Sequence, residues 1–392
     1  MDKEDNVIRE SLKMIQDHDQ RLSGYATKNR DCKKVRAVKQ HDELDLRWPF
    51  EEDIDRVLYS KNYSRYADKT QALSFFEDVH ITRRSLHVQW VSRIARQIGR
   101  RLNLNLDLIE AIALGHDIGH APYGHIGEKA IDEMLQKKGF GYFAHNANSV
   151  RKLLYIERKG TGYDVSLQAL DGILSHNGEL LSQRYEPDWN KTKEQFFEEY
   201  ENCWHKKEYS LQITPMTLEG CVVRISDVIA YIGKDIEDAL HVQIIVPKDI
   251  PKGILRILGK DNRTMMNRLI KDLLVNSYGK PYLTFSAEVF AALQELLQFI
   301  QTHIHQHPAL IEQGEKILRI VQELYESFYQ DLLHQKNVQE GVWTYMKKMN
   351  RSYQETPYPL VVADYVSGMT DSYALQWYEK RFLPIMHPDI LD

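Results

Sequence analysis

Apolar residues recur every three to four positions along most of the chain, and that period admits little besides helices packed on helices. Within Arg84–Arg101, Leu86, Val88, Val91, Ile94, Ala95 and Ile98 fall near one face, and Leu106–Leu114 resumes the pattern after a turn at Asn103–Asn105. The same spacing runs through Glu128–Lys137, Ala144–Tyr155, Leu218–Ala239, Asn262–Val275, Ala287–Thr302, Ile311–Gln330 and Tyr373–Arg381. Alternation with period two is confined to the short, β-branched Val242–Val246. An all-α fold is therefore expected, with any sheet limited to a small hairpin. Breaks are modest: the glycines of Arg158–Gly162, the polar Glu186–Lys193 around Pro187, and a turn at Gly279–Pro281. Where the chemistry-bearing motifs lie, and not these breaks, suggests an N-terminal arm at 1–49, a motif-carrying core at 50–240 and a helical C-terminal region at 241–392.

Charge and cysteine usage narrow the function classes. A net charge of −5 argues against a protein that coats nucleic acid electrostatically, so stable nucleic-acid binding is not indicated. The basic stretch Lys28–Lys39 reads as a solvated arm or loop, with phosphate contact as the alternative. No apolar run approaches the roughly 20 residues of a membrane span. The opening MDKEDNVIRE lacks the apolar stretch of a secretory signal. Cys32, Cys203 and Cys221 have no paired metal spacing, which fits a reducing compartment; the cytoplasm is expected.

Chemistry concentrates in Gly115-His-Asp-Ile-Gly-His-Ala-Pro-Tyr-Gly-His-Ile-Gly-Glu128. Three histidines and two carboxylates fall within 13 residues there, among glycines and a proline. A helix ending near His116, broken by Gly119 and Pro122 and restarted near Tyr123, would present these side chains from a turn into a cleft. Imidazole and carboxylate together suit Mn, Fe, Ni, Co or Zn, and Mg where water completes the shell. Further ligands must come from elsewhere. His87 lies on an apolar stripe, where a histidine is ordinarily a satisfied core residue. Asp227 lies in the apolar stretch Arg224–Tyr231, where a buried carboxylate needs a cation or a donor. Together, in the order H…HD…D, the four point to a metal site. Asp227, Tyr231 and Asp235, spaced i, i+4, i+8, line one helix face. Two other histidine groups read as ordinary structure. His303, His305 and His307 form a solvated helix end before Pro308, and His176-Asn177-Gly178 ends a helix by C-cap chemistry.

This constellation resembles the HD hydrolase superfamily, and within it the dGTPase-like deoxynucleoside triphosphate triphosphohydrolases. The resemblance rests on Asp68-Lys-Thr-Gln71, Arg84-Ser-Leu-His87, the HDIGHAPYGHIGE run and His145-Asn-Ala-Asn-Ser149. It continues with Asp227-Val-Ile-Ala-Tyr231 and Asp235, and with the late Asp364-Tyr-Val-Ser-Gly-Met-Thr-Asp371. It implies an HD-domain metal-phosphohydrolase core at 50–240, with 241–392 completing a nucleotide pocket. The activity implied is hydrolysis of a dNTP to deoxynucleoside and triphosphate.

By the same resemblance His87, His116, Asp117 and Asp227 bind one divalent metal, Mn or Mg before Co, Ni, Fe or Zn. His125 with Glu128 orients or deprotonates the attacking water, and His120 contacts the α-phosphate or protonates the leaving triphosphate. His145 lies beside this relay, and Arg84 contacts phosphate. Tyr231 meets phosphates or sugar, while Asp235 and Gln71 hold the sugar 3′-hydroxyl. Tyr365 stacks on the sugar or is a core tyrosine. A homo-oligomer and a nucleotide effector are also implied, with no membrane partner. The alternatives are another nucleotide substrate, or a nucleotide-sensing protein with little turnover. One departure stands out: Val228 occupies a position where some relatives carry lysine or aspartate after the last metal aspartate, so Lys234 or another basic group must meet the phosphates.

Overall fold

Where the periodic stretches end, local capping chemistry decides the boundaries. The computed structural model describes residues 3–36, 47–71, 81–177 and 181–384. Its first half contains α1 (Lys3–Arg21), α2 (Pro49–Leu58), α3 (Arg84–Leu102), α4 (Leu106–Gly115), α5 (Gly124–Lys137), α6 (His145–Arg151), α7 (Leu167–Leu174), α8 (Lys193–His205) and α9 (Leu218–His241). Asn103 closes α3 in the left-handed conformation at φ 57°, and Asn105 opens α4 by accepting from the amides of Asp107 and Leu108. Thr192 and Gln195 form a capping box on α8, and Thr217 caps α9 through the amide of Gly220.

The second half adds α10 (Lys252–Leu258), α11 (Asn262–Ser277), α12 (Ala287–Ile300), α13 (Pro308–His334), α14 (Gly341–Lys347), α15 (Tyr358–Ser367) and α16 (Asp371–Phe382). Two helices leave ideal geometry at their C-terminal ends: α6 widens into a π turn at Lys152–Ile156, and α12 does so at Gln301–His305. The fold is all-α.

Among the described residues one strand pair is formed: Arg184–Tyr185 joins Leu283–Thr284, antiparallel, with Arg184 opposite Thr284. It does not involve Val242–Val246. There the chain folds back onto the end of α9, with Val242 N bonded to Asp238 O and Ile244 N to Ala239 O, and Ile245 buried. Wrapping a helix end uses the β-branched side chains without leaving an edge to pair.

Helix α9 is buried on nearly every side, as its apolar sequence requires. Helices α3 and α7 pack against it, α4 packs on both of those, and α2 covers α4. From the C-terminal half, α13 lies along α5 and carries α15 and α16. The basic segment is only partly solvated where it is described: Arg30 and Lys33 are exposed, but two of its cations are tied to the core. Lys34 reaches the buried Asp53 carboxylate at 3.0 Å, and Arg36 donates to the carbonyls of Leu154 and Thr161. The acidic Glu52 and Asp53, both buried on α2, supply the reason: they need a cation. Residues 37–39 lie outside the described residues. No described helix is long and apolar enough to cross a membrane.

Candidate metal centre

Helix α4 stops at Gly115, with His116 as its C-cap, because the next turn is clamped by α6. Gly119 donates its amide to Ser149 Oγ at 2.9 Å, its carbonyl accepts from Asn148 at 2.6 Å, and Ser149 Oγ donates to His116 O at 2.7 Å. A Cβ on Gly119 would stand 2.2 Å from the His145 carbonyl, so only glycine permits this approach. The chain then reverses through Tyr123 at φ 61° and Gly124 at φ 60°. Strain at Tyr123 is offset by Asp371, which accepts its amide at 2.7 Å while its own carbonyl accepts the tyrosine hydroxyl at 2.9 Å.

This turn brings His116 and Asp117 to α3 and α9. His87 Nε2 lies 2.9 Å from Asp227 Oδ1; His116 Nε2 lies 3.8 Å from the same oxygen and 3.3 Å from Asp117 Oδ1. His116 donates Nδ1 to the Ala113 carbonyl at 2.7 Å, so its lone pair is on Nε2. That nitrogen is fully buried without a hydrogen-bond partner. An orphaned lone pair facing two carboxylates is what a divalent ion would satisfy, and the donor set fits one. Arg84 lies on the same centre: its guanidinium, 1% exposed, pairs with Asp117 Oδ2.

The relay residues also converge. Glu128 Oε2 is 3.2 Å from His125 Nδ1 and 3.0 Å from His145 Nδ1, and His120 stacks on His145 with centroids 3.9 Å apart. Burial pushes the carboxyls of Asp117, Glu128 and Asp227 up, but charge and hydrogen bonding from neighbouring side chains outweigh it. His116, Arg84 and His120 hold Asp117 well below the usual range, His145 and His125 do the same for Glu128, and His87 and His116 lower Asp227. Burial and the Arg84 charge depress His120 well below the usual imidazole value.

A cavity of about 930 Å³ opens from this centre. Its wall includes Gln71, Arg84, Asp117, His120, His125 and Asp227, and farther along α9, Tyr231 and Asp235. Tyr365 is not part of that wall. It packs between Phe328 and Tyr345, at ring distances of 5.0 and 5.3 Å, as a core tyrosine does. Lys234 is spent on Glu237 and Asp238 at 3.1 and 3.4 Å, and Val228 is fully buried. The basic group that does reach the cavity from α5 is Lys129.

Two histidines stand where ordinary structure was expected. His305 lies at an exposed helix end but does more than face solvent: its Nε2 pairs with Asp235 at 2.9 Å, and both line the cavity. The π turn is the reason, since i→i+5 winding rotates His305 away from the direction an ideal helix would give it. Of its neighbours, His303 stacks on Phe299 and His307 precedes α13. His176 does follow the end of α7, but it is buried, edge-on to His116 at 4.8 Å, with Nε2 3.1 Å from His145 Nε2. Gly178 lies outside the described residues. Lys129 had a signal, the i, i+4 spacing from His125; His176 and His305 had none that local sequence carries.

Residues 84–232 match the HD domain, and residues 283–380 match the phosphohydrolase-associated domain. A deoxyguanosinetriphosphate triphosphohydrolase-like protein of Caldanaerobacter subterraneus subsp. tengcongensis is 34% identical over 93% of this chain and 93% of its own. Similarly named proteins of Clostridium tetani and Clostridium perfringens (strain SM101) are 31% and 33% identical, covering 91% and 87% of this chain and 92% and 88% of theirs. HD domains bind divalent metals, as the clustered imidazoles and carboxylates here would allow. The chain belongs to the deoxyguanosinetriphosphate triphosphohydrolase-like family of HD-domain phosphohydrolases.

Proposed function

We propose that this protein hydrolyses a deoxynucleoside triphosphate to deoxynucleoside and inorganic triphosphate, by attack of water at the α-phosphate. The observation that carries the reading is a single cavity whose wall holds the His–Asp cluster, Gln71 and, farther along α9, Tyr231 and Asp235. Asp227 and Asp235 stand eight residues apart on α9, roughly 12 Å along its axis. That leaves room for a nucleoside whose α-phosphate lies at the metal end.

A divalent ion held by His87, His116, Asp117 and Asp227 would supply Lewis-acid polarisation at phosphorus. The chain's own groups do the rest. With Nδ1 of His125 engaged by Glu128, Nε2 accepts a proton from the attacking water, and the carboxylate stabilises the imidazolium that forms. His145 braces the same carboxylate. His120, kept neutral by its surroundings, hydrogen-bonds the phosphate or the departing oxygen. Arg84 and Lys129 offset the triphosphate's charge. The Gln71 Oε1, buried without a hydrogen-bond partner, is available to a sugar hydroxyl in the cavity that Asp235 also lines.

The test is a panel of dNTPs with Mn or Mg, resolving triphosphate from pyrophosphate. Triphosphate release is expected, and His116→Ala or Asp117→Ala should lose turnover and metal together. Pyrophosphate as the product, or full activity in the metal-free double variant, would refute the reading.

A further inference from the structure

Two segments beside the metal centre are tied to one carboxylate from the far end of the chain. Asp371, the first residue of α16, accepts from the Tyr123 amide at 2.7 Å through Oδ1. Through Oδ2 it accepts from the Thr70 amide and hydroxyl at 2.9 and 2.7 Å. All three residues are buried; Tyr123 and the Gln71 that follows Thr70 line the cavity, and Asp371 does not. The two segments also touch, since a Cβ on Gly124 would stand 3.2 Å from the Gln71 carbonyl. Each carries part of the site. The Thr70 carbonyl accepts from Arg84 Nη2 at 3.3 Å, and the same guanidinium pairs with Asp117. Tyr123 stands between His120 and His125 in the turn, at φ 61°. Lys69 makes a parallel tie, donating to the His120 carbonyl and, at 3.0 Å, to that of Ser367.

A tyrosine in the left-handed region keeps that conformation only where its surroundings over-determine it. Here the Asp371 carboxylate receives its amide, so the pose of the His120–His125 turn depends on where Asp371 stands. One oxygen serves each segment, and a single planar group therefore fixes their separation. We propose that Asp371 is a positioning residue for the reaction. From the C-terminal half it sets the segment that ends at Gln71 against the turn that carries His120 and His125, without touching substrate itself. The inference rests on the reaction proposed above. It gives the phosphohydrolase-associated domain a part in the chemistry of the HD domain. A carboxylate is required, because Asp371→Asn leaves one accepting oxygen and one NH₂ group. Whichever way that amide turns, donor faces donor at Thr70 or at Tyr123.

The experiment uses the full-length protein loaded with Mn(II), and reads dNTP kinetics and hydrogen–deuterium exchange on the same samples. Misplacing reacting groups by about 1 Å costs on the order of a hundredfold in rate. Asp371→Asn, still folded at the assay temperature and still holding Mn, should therefore lose about a hundredfold in kcat while KM moves far less. Exchange should rise in the peptides that contain Thr70 or Tyr123. Thr70→Val deletes only the hydroxyl donor, so a loss of about tenfold in kcat is expected; it decides the matter where Asp371→Asn fails to fold. Ser372→Ala is the control: it removes an exposed 2.9 Å bond to Asp68 across the same joint and should leave kcat unchanged. Wild-type kcat in folded Asp371→Asn, or a rise in KM alone, would overturn the proposal. So would an equal loss in Ser372→Ala, which would mark general loosening of the joint. A wild-type protein that releases no triphosphate would sink the reaction itself. Exchange then decides the tie, and unchanged uptake at both Thr70 and Tyr123 would refute it.

Discussion

Asp117 divides its two oxygens between different partners, Oδ2 to the buried Arg84 guanidinium and Oδ1 towards His116 and His120. That division explains why its carboxyl stays ionised despite burial. Folded-state values below the ordinary range for Asp117, Glu128 and Asp227 mean their stabilising contribution is complete above the unfolded values, about pH 4. It is lost as pH falls through the lower folded values. Arg84→Ala removes one partner of a buried pair, so about 3–5 kcal/mol of stability should disappear in urea unfolding of the metal-free protein. The Asp117 carboxyl would then rise towards its ordinary value, and the acid limb of metal binding should move to higher pH. An unchanged unfolding midpoint would show that Arg84 only serves substrate. At this scale the candidate metal residues could be picked out because their order and types are unusual. The distances between them could not.

At the scale of elements, the nine helices read from periodicity all exist, since each buries a face long enough to show a period. Short or evenly apolar helices escaped notice: α7 spans eight residues with all of them buried, so no stripe distinguishes it. The π turn after α12 was also invisible, because its signature is a hydrogen-bond pattern and not a residue pattern. Its consequence is the His305–Asp235 pair. Burial works against the His305 imidazolium, but Asp235 outweighs it and raises the value. The pair is therefore strongest below about pH 6.5 and is lost as pH rises through the raised folded value. Under the proposed reaction, Asp235 needs this partner to hold its carboxylate towards the sugar. His305→Ala should raise KM for dNTP about tenfold, the scale of one charge-assisted hydrogen bond, with a smaller change in kcat. Equal losses in kcat and kcat/KM would place His305 in the chemical step instead.

Across the whole molecule, the late motif acts as a joint between the halves of the chain. Asp364 takes both Arg151 nitrogens at 2.8 Å, and Asp371 accepts from the Thr70 amide and hydroxyl at 2.9 and 2.7 Å. Two buried lysines cross the same joint. Lys152 donates to the Asp364 carbonyl at 2.7 Å, and Lys69 donates to the carbonyls of His120 and Ser367. Burial lowers the Lys152 amine to about 7. A folded value below the unfolded one means its charge costs stability fully below about pH 7, and the cost is relieved as pH rises towards 10.5. Lys152→Met should therefore flatten the rise of melting temperature between about pH 7 and pH 9.5. An identical slope in the variant would reject the buried-charge account.

What the residues alone determined was the helical class and the chemistry. Periodicity dictates helices whatever their arrangement, and H…HD…D dictates cation-seeking side chains wherever they meet. Tertiary structure decided who faces whom. Of the two readings of Tyr365 it favoured the core one, setting the ring against Phe328 and Tyr345, and it docked Lys34 and Arg36 onto the core. It also turned His176 and His305, both read as helix-end residues, into the centre and its cavity. Those outcomes depend on long-range packing and on the winding of single turns, neither of which leaves a trace in local residue order.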